Sequence, residues 1–136
     1  MVNNPNLYEI NTRVWLRRYD TQENRAGLAD VPENFFDWLE EKGIDCLWLM
    51  GIWKNCPTTI NEYCFEEGLI YNYRRALKNW SEDDIIGSPY SIDNYEINPD
   101  IGSFEDVELF RKKLNSRGIK LVLDFISNHF SVHSSL

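Results

Sequence analysis

Ile119-Lys120-Leu121-Val122-Leu123-Asp124-Phe125-Ile126-Ser127-Asn128-His129 is the stretch that decides how this chain is read. Its first five residues are mostly apolar and too short for a helix, so they predict a buried strand. A carboxylate, an amide and an imidazole follow directly at that strand's C-terminal end. In parallel α/β architectures this is the end where binding and catalysis are built. On spacing alone, Asp124 reads equally as a cap and His129 as a surface histidine. His129 and His133 stand four apart and could pose as metal ligands on a helix, but no third ligand is evident.

Working back from this strand, Gly118 closes a helix that Ser103 caps and Asp106 reinforces. Val107, Phe110 and Leu114 form its buried stripe. Glu105 and Asp106 lie at its positive end, and Arg111, Lys112 and Lys113 lie toward its negative end. Ile44 to Ile52 reads as a second buried strand, entered through Gly43 from a helix with Val31, Phe35, Trp38 and Leu39 at helical spacing. Asp30 is that helix's expected cap, and Pro32 suits its first turn. Leu7 to Leu16 alternates apolar and polar residues and predicts the first strand. Trp53 to Pro99 reads as a long loop, with a helical turn or two over Tyr71 to Trp80.

The order strand, helix, strand, long loop, helix, strand predicts a parallel α/β sheet with its strand ends at one edge. Those ends are Trp15–Arg18, Met50–Lys54 and Asp124–His129. No repeat, low-complexity tract or domain boundary interrupts residues 1–136.

Composition narrows the partners. The net charge of −8 leaves no basic patch to displace counterions from a nucleic acid, and it disfavours anionic membrane surfaces. Neither a leader-like start nor a membrane-length apolar run is seen, so a cytoplasmic, soluble protein is expected. Cys46, Cys56 and Cys64 lack metal-site spacing; Cys46 reads as core and the other two as loop.

Four segments, in order, resemble the N-terminal part of the catalytic barrel of the α-amylase superfamily, glycoside hydrolase family 13. They are LYEINTRVW, LEEKGIDCLWLMGIW, GSPYSIDNYEINPDIGSFED and DFISNH. The last resembles the family pattern D-x-V-x-N-H, with Ile126 at the Val position. The resemblance implies a partial TIM (β/α)8 barrel: about the first three strands, two helices and a long loop.

The resemblance also implies roles. Asp124 matches an aspartate that buttresses the site, and Asn128 an asparagine that ligates a structural calcium in many members. His129 matches the histidine that hydrogen-bonds the sugar beside the scissile bond. Tyr90 lies near the family's sugar-stacking tyrosine, although Ser88-Pro89-Tyr90 replaces the usual Gly-Tyr pair. Asp93 and Tyr95 match loop positions that shape the cleft. Calcium is implied for a full-length protein only, with none expected here.

Family members resemble retaining glycosidases, which use a nucleophilic carboxylate and a carboxylic acid about 5–5.5 Å apart. In the family these come from later strands, so this chain is expected to be an N-terminal fragment, inactive alone, of an enzyme acting on α-glucosidic carbohydrate. The alternatives are a non-catalytic carbohydrate-binding or interaction module with Trp53, Tyr90 and His129 as its platform, or a piece complemented by a second chain. Three strands of a barrel that takes about 250 residues leave Leu47, Leu49, Leu121 and Leu123 expected partly exposed. Two unpaired edges would favour instability or self-association.

Overall fold

The computed structural model describes residues 4–136, which form two compact units. The first unit comprises the stretch ending at Ile52 together with Glu96–Phe125. It holds strand β1 (Leu7–Asn11), helix α1 (Thr12–Leu16), helix α2 (Glu33–Glu41) and strand β2 (Cys46–Met50). The second unit, Trp53–Tyr95 with Ile126–Leu136, holds β3 (Trp53–Asn55), α3 (Pro57–Tyr63), α4 (Glu67–Ala76) and most of β4 (Ile92–Ile97). Helix α5 (Phe104–Asn115) and strand β5 (Lys120–Leu123) return to the first.

β1, β2 and β5 form one parallel sheet in that order, with β2 central. β3 and β4 form a separate pair. The three parallel strands and the helices α2 and α5 are the expected barrel portion. The long loop proves to contain structure of its own: β3, two helices and β4. Pro57 opens α3 at a first-turn position, where its missing N–H costs nothing.

The first strand is half as long as expected. It ends at Asn11, whose side chain accepts from the Val14 main-chain N–H and starts α1. Asparagine in this position trades strand pairing for a cap, so Trp15–Arg18 lie on α1 and a following 3-10 turn rather than at a strand end. Asp30 caps the 3-10 turn Leu28–Asp30, through Gly27 N–H to its Oδ2 at 2.8 Å, and not α2. Helix α2 begins at Glu33 after Pro32.

Register fixes which face of the sheet is covered. Leu47 pairs with Tyr8 and Leu121, and Leu49 with Ile10 and Leu123. Leu47 and Leu49 are 0% exposed, which corrects the expectation of partial exposure for these two. They belong to the core that also holds Phe36 and Leu39 of α2 and Phe110 and Leu114 of α5. Phe36 and Phe110 meet with ring centroids 4.9 Å apart. Leu121 and Leu123 are half-buried. The other face carries Cys46, Trp48 and Met50 half-buried and Val122 exposed. Cys46 is therefore not core, whereas Cys56 is buried; all three cysteines are free thiols.

The sheet's helices are tied together at the surface. Arg117 Nη2 reaches Asp37 Oδ1 at 2.6 Å and Glu33 Oε2 at 3.2 Å, while Lys113 Nζ reaches Glu33 Oε1 at 2.7 Å. Both cations also lie over the Phe36 ring. At the start of α5, Ser103 and Asp106 form the expected reciprocal cap, and the Gly118 turn takes the left-handed φ of 75°.

Candidate functional site

Asp124 sits one residue past β5, beside the end of β2, because Leu49 pairs with Leu123. It is buried, and its carboxylate is already bound: Trp48 Nε1 donates to Oδ1 at 2.8 Å, and the Gly51 N–H donates to Oδ2 at 2.5 Å. Charge-assisted bonds of this kind hold a buried carboxylate in place. Gly51 has φ 76°, a conformation that favours glycine, and this turn aims its N–H at Asp124. The role of Trp48 and Gly51 as the seat of Asp124 was missed from the sequence. Register alone could have found Trp48, since it pairs with Val122, two residues before Asp124 on the same face.

The other anticipated residues lie in the second unit. Tyr90 is an exposed ring in the loop 88–91. Asn55, at the end of β3, is buried and holds that loop by donating from Nδ2 to the Ser88 and Ser91 carbonyls, at 2.6 and 3.1 Å. Asp93 is buried on β4 and accepts the Ser135 N–H at 2.6 Å. Lys54 Nζ stands 3.9 Å from the second Asp93 carboxylate oxygen. The Asp93 main-chain carbonyl accepts the Ser134 hydroxyl. Asp93 thus anchors the tail 134–135.

Asn128 and His129 are exposed on a non-helical segment. Two contacts with β4 fix that segment on either side of them. The Tyr95 hydroxyl bonds both main-chain groups of Ile126, and the Ser131 N–H donates to the Ile92 carbonyl at 2.8 Å. Trp53 packs edge-on to Tyr95 at 5.1 Å between ring centroids, and Phe130 packs on Tyr95 at 6.0 Å. The metal-pair idea for His129 and His133 fails on geometry, because the segment is not helical and His133 Nε2 is bonded to Glu62 Oε2 at 2.7 Å. That bond holds the Glu62 carboxyl below its ordinary range. Nearby, main-chain and side-chain bonds from Thr59 lower the Cys56 thiol.

Calcium takes about 6–8 oxygen ligands. Asn128 offers one amide oxygen, and no group of three or more His, Cys, Asp or Glu side chains is placed to hold a metal among the described residues. These residues do not make a calcium site by themselves. Nor does either buried carboxylate fit a nucleophile, since Asp93 is engaged by Ser135 and Lys54, and Asp124 by Trp48 and Gly51. The second unit exposes an imidazole, an amide and an aromatic ring at His129, Asn128 and Tyr90, groups whose chemistry is hydrogen bonding and stacking. They do not supply a pair of reacting carboxyl groups.

No helix among the described residues is long and apolar enough to cross a membrane. Comparison with known proteins finds the α-amylase catalytic domain along residues 19–135. The oligo-1,6-glucosidases of Heyndrickxia coagulans and Parageobacillus thermoglucosidasius are each 28% identical over 127 residues, 92% of this chain. The chain spans only 17% of the length of either relative. The crystal structure of an α-amylase from Lactobacillus plantarum superposes with a TM-score of 0.65 at 22% identity. That superposition covers 97% of this chain and 24% of the amylase, and it agrees with a partial barrel. The family match runs from the end of the turn after α1 through β2 and β5 to the tail, and the chain belongs to the α-amylase catalytic-domain family, as an N-terminal portion of its barrel.

Proposed function

We propose that this chain carries the sugar-binding opening of a retaining hydrolase or transglycosidase acting on α-glucosidic carbohydrate, and that it is inactive alone. His129 hydrogen-bonds a sugar hydroxyl, the exposed Tyr90 ring offers a stacking face, and Asp124 buttresses the strand end. The nucleophile and the acid/base come from later strands of the family's barrel, and Asn128 serves calcium only together with ligands outside this chain. The observation that carries the reading is the Asp124–His129 run at the C-terminal end of β5, in a chain matched to the catalytic domain through residue 135.

Titration calorimetry of the chain with maltotetraose, run beside a product assay, tests this directly. Expected are saturable binding that His129→Ala abolishes and no turnover. Turnover that vanishes in His129→Ala would overturn the inactivity, and absence of binding would overturn the sugar site.

A second reading, a non-catalytic carbohydrate-binding module, draws on the Trp53–Tyr95–Phe130 ring cluster in the same unit as His129. Addition of a polypeptide bearing the later strands separates the two: restored turnover favours the enzyme piece, and binding alone favours the module. The acidic balance argues against nucleic acid, and the outer edges of β1 and β5 in the parallel sheet favour self-association. A cytoplasmic location completes the proposal.

A further inference from the structure

One hydroxyl holds the main chain on the approach to His129. Tyr95 Oη donates to the Ile126 carbonyl at 2.6 Å and accepts the Ile126 N–H at 2.9 Å. Ile126 is buried, so both of its main-chain groups need partners, and this one side chain supplies them. The Tyr95 ring also meets Phe130, the residue directly after His129. Both flanks of the short loop Ser127-Asn128-His129 therefore rest on the same side chain.

Behind it, Trp53 packs edge-on at an interplanar angle of 82°, which restrains the Tyr95 ring. Ser131 N–H to the Ile92 carbonyl closes the loop on its far side. The loop residues themselves are exposed. An exposed loop tied at both ends keeps little conformational freedom to lose when it meets a ligand.

We propose that Tyr95 is the positioning residue for His129: its hydroxyl, rather than its ring, sets the conformation in which the imidazole is presented to sugar. This rests on the carbohydrate reading above for its purpose, but its geometry does not. The chemistry is simple. Tyr95→Phe keeps the ring against Trp53 and Phe130 and deletes the hydroxyl that bonds both main-chain groups of Ile126. The buried Ile126 N–H and carbonyl then open toward water, and the loop opens with them.

The test is amide exchange and imidazole NMR on the full chain. Tyr95→Phe is expected to speed exchange at Ile126–His129 by at least about fivefold, the loss of two hydrogen bonds. The His129 ring signals shift, whereas Leu47 and Leu49 amides exchange as before. Ser134→Ala serves as the control, since it cuts a different anchor, the bond to the Asp93 carbonyl. Unchanged exchange and ring signals in Tyr95→Phe would overturn the proposal, and so would equal disturbance of His129 in Ser134→Ala.

Maltotetraose is then added to each form. A wild-type His129 response that weakens by about tenfold in Tyr95→Phe supports both positioning and the sugar site. A wild type that does not respond overturns the sugar reading. In that case a Tyr95→Phe shift at His129 still upholds Tyr95 as the group that sets the loop.

Discussion

The indole of Trp48 on β2 and the carboxylate of Asp124, one residue past the neighbouring parallel strand β5, meet on the sheet face that the helices leave uncovered, Nε1 to Oδ1 at 2.8 Å. A neutral donor serving a buried carboxylate is worth about 1.5–3 kcal/mol. Trp48→Phe keeps a ring there and removes the donor. It should lower stability by about that amount, read as a shift in urea midpoint at fixed protein concentration. A midpoint within error of the parent would show that water replaces the indole at no cost.

The two faces of the sheet differ in burial, and truncation separates them. Leu49→Ala, within the covered face, should cost about 2–5 kcal/mol. Val122→Ala, on the face where Val122 is 37% exposed, should cost well under half of that. Equal losses at both sites, measured by the same unfolding curves, would mean that the bare face is covered in solution by another copy.

Helix α5 depends on its first turn. The Ser103 hydroxyl accepts the Asp106 N–H at 3.2 Å, and Asp106 returns through the Ser103 N–H at 2.7 Å. Ser103→Ala should lower stability by about 0.5–2 kcal/mol, and exchange should quicken first at residues 104–107. Loss confined to the far end of the helix would be the wrong result.

Acid should weaken the fold. Bonds from Lys113 and then Arg117 hold the Glu33 carboxyl below its ordinary 4.5. Asp106 lies below 3.8 through the Ser103 main-chain bond, and Glu108 is lowered by Arg111. A carboxyl whose pKa is lower in the folded chain contributes stability above its unfolded value, and that stability is lost as pH falls through the folded value. Unfolding midpoints should therefore fall as pH drops below about 5. Glu33→Gln should flatten the slope, and an unchanged slope would remove Glu33 from the account.

Much of this was open to reading in the sequence where signals were local. Ser103, Asp106 and the Val107, Phe110, Leu114 stripe specify α5 within one short segment, and β2 is an apolar run between clear breaks. Leu7–Leu16 misled because alternation looks the same whether the chain continues as a strand or is turned by Asn11 into α1. Alternation likewise separates the two faces of β2 without saying which one the helices cover, and only the folded packing assigns Leu47 and Leu49 to the covered side. The seat of Asp124 and the Tyr95 bonds to Ile126 join residues 73 and 31 positions apart. No local pattern encodes such pairs: the β2–β5 pairing brings the first within reach, and the second joins β4 to a segment that lies on no strand.

The seat of Asp124 has a bearing on synthesis. Its described donors, Trp48 and Gly51, both precede it in the chain, as do all the strands of its sheet. Domains begin to fold N-terminal end first while the ribosome is still translating. Once Asp124 has cleared the exit tunnel, Trp48, Gly51 and the strands of its sheet have already emerged, so these two bonds can form without waiting for residues still inside the tunnel.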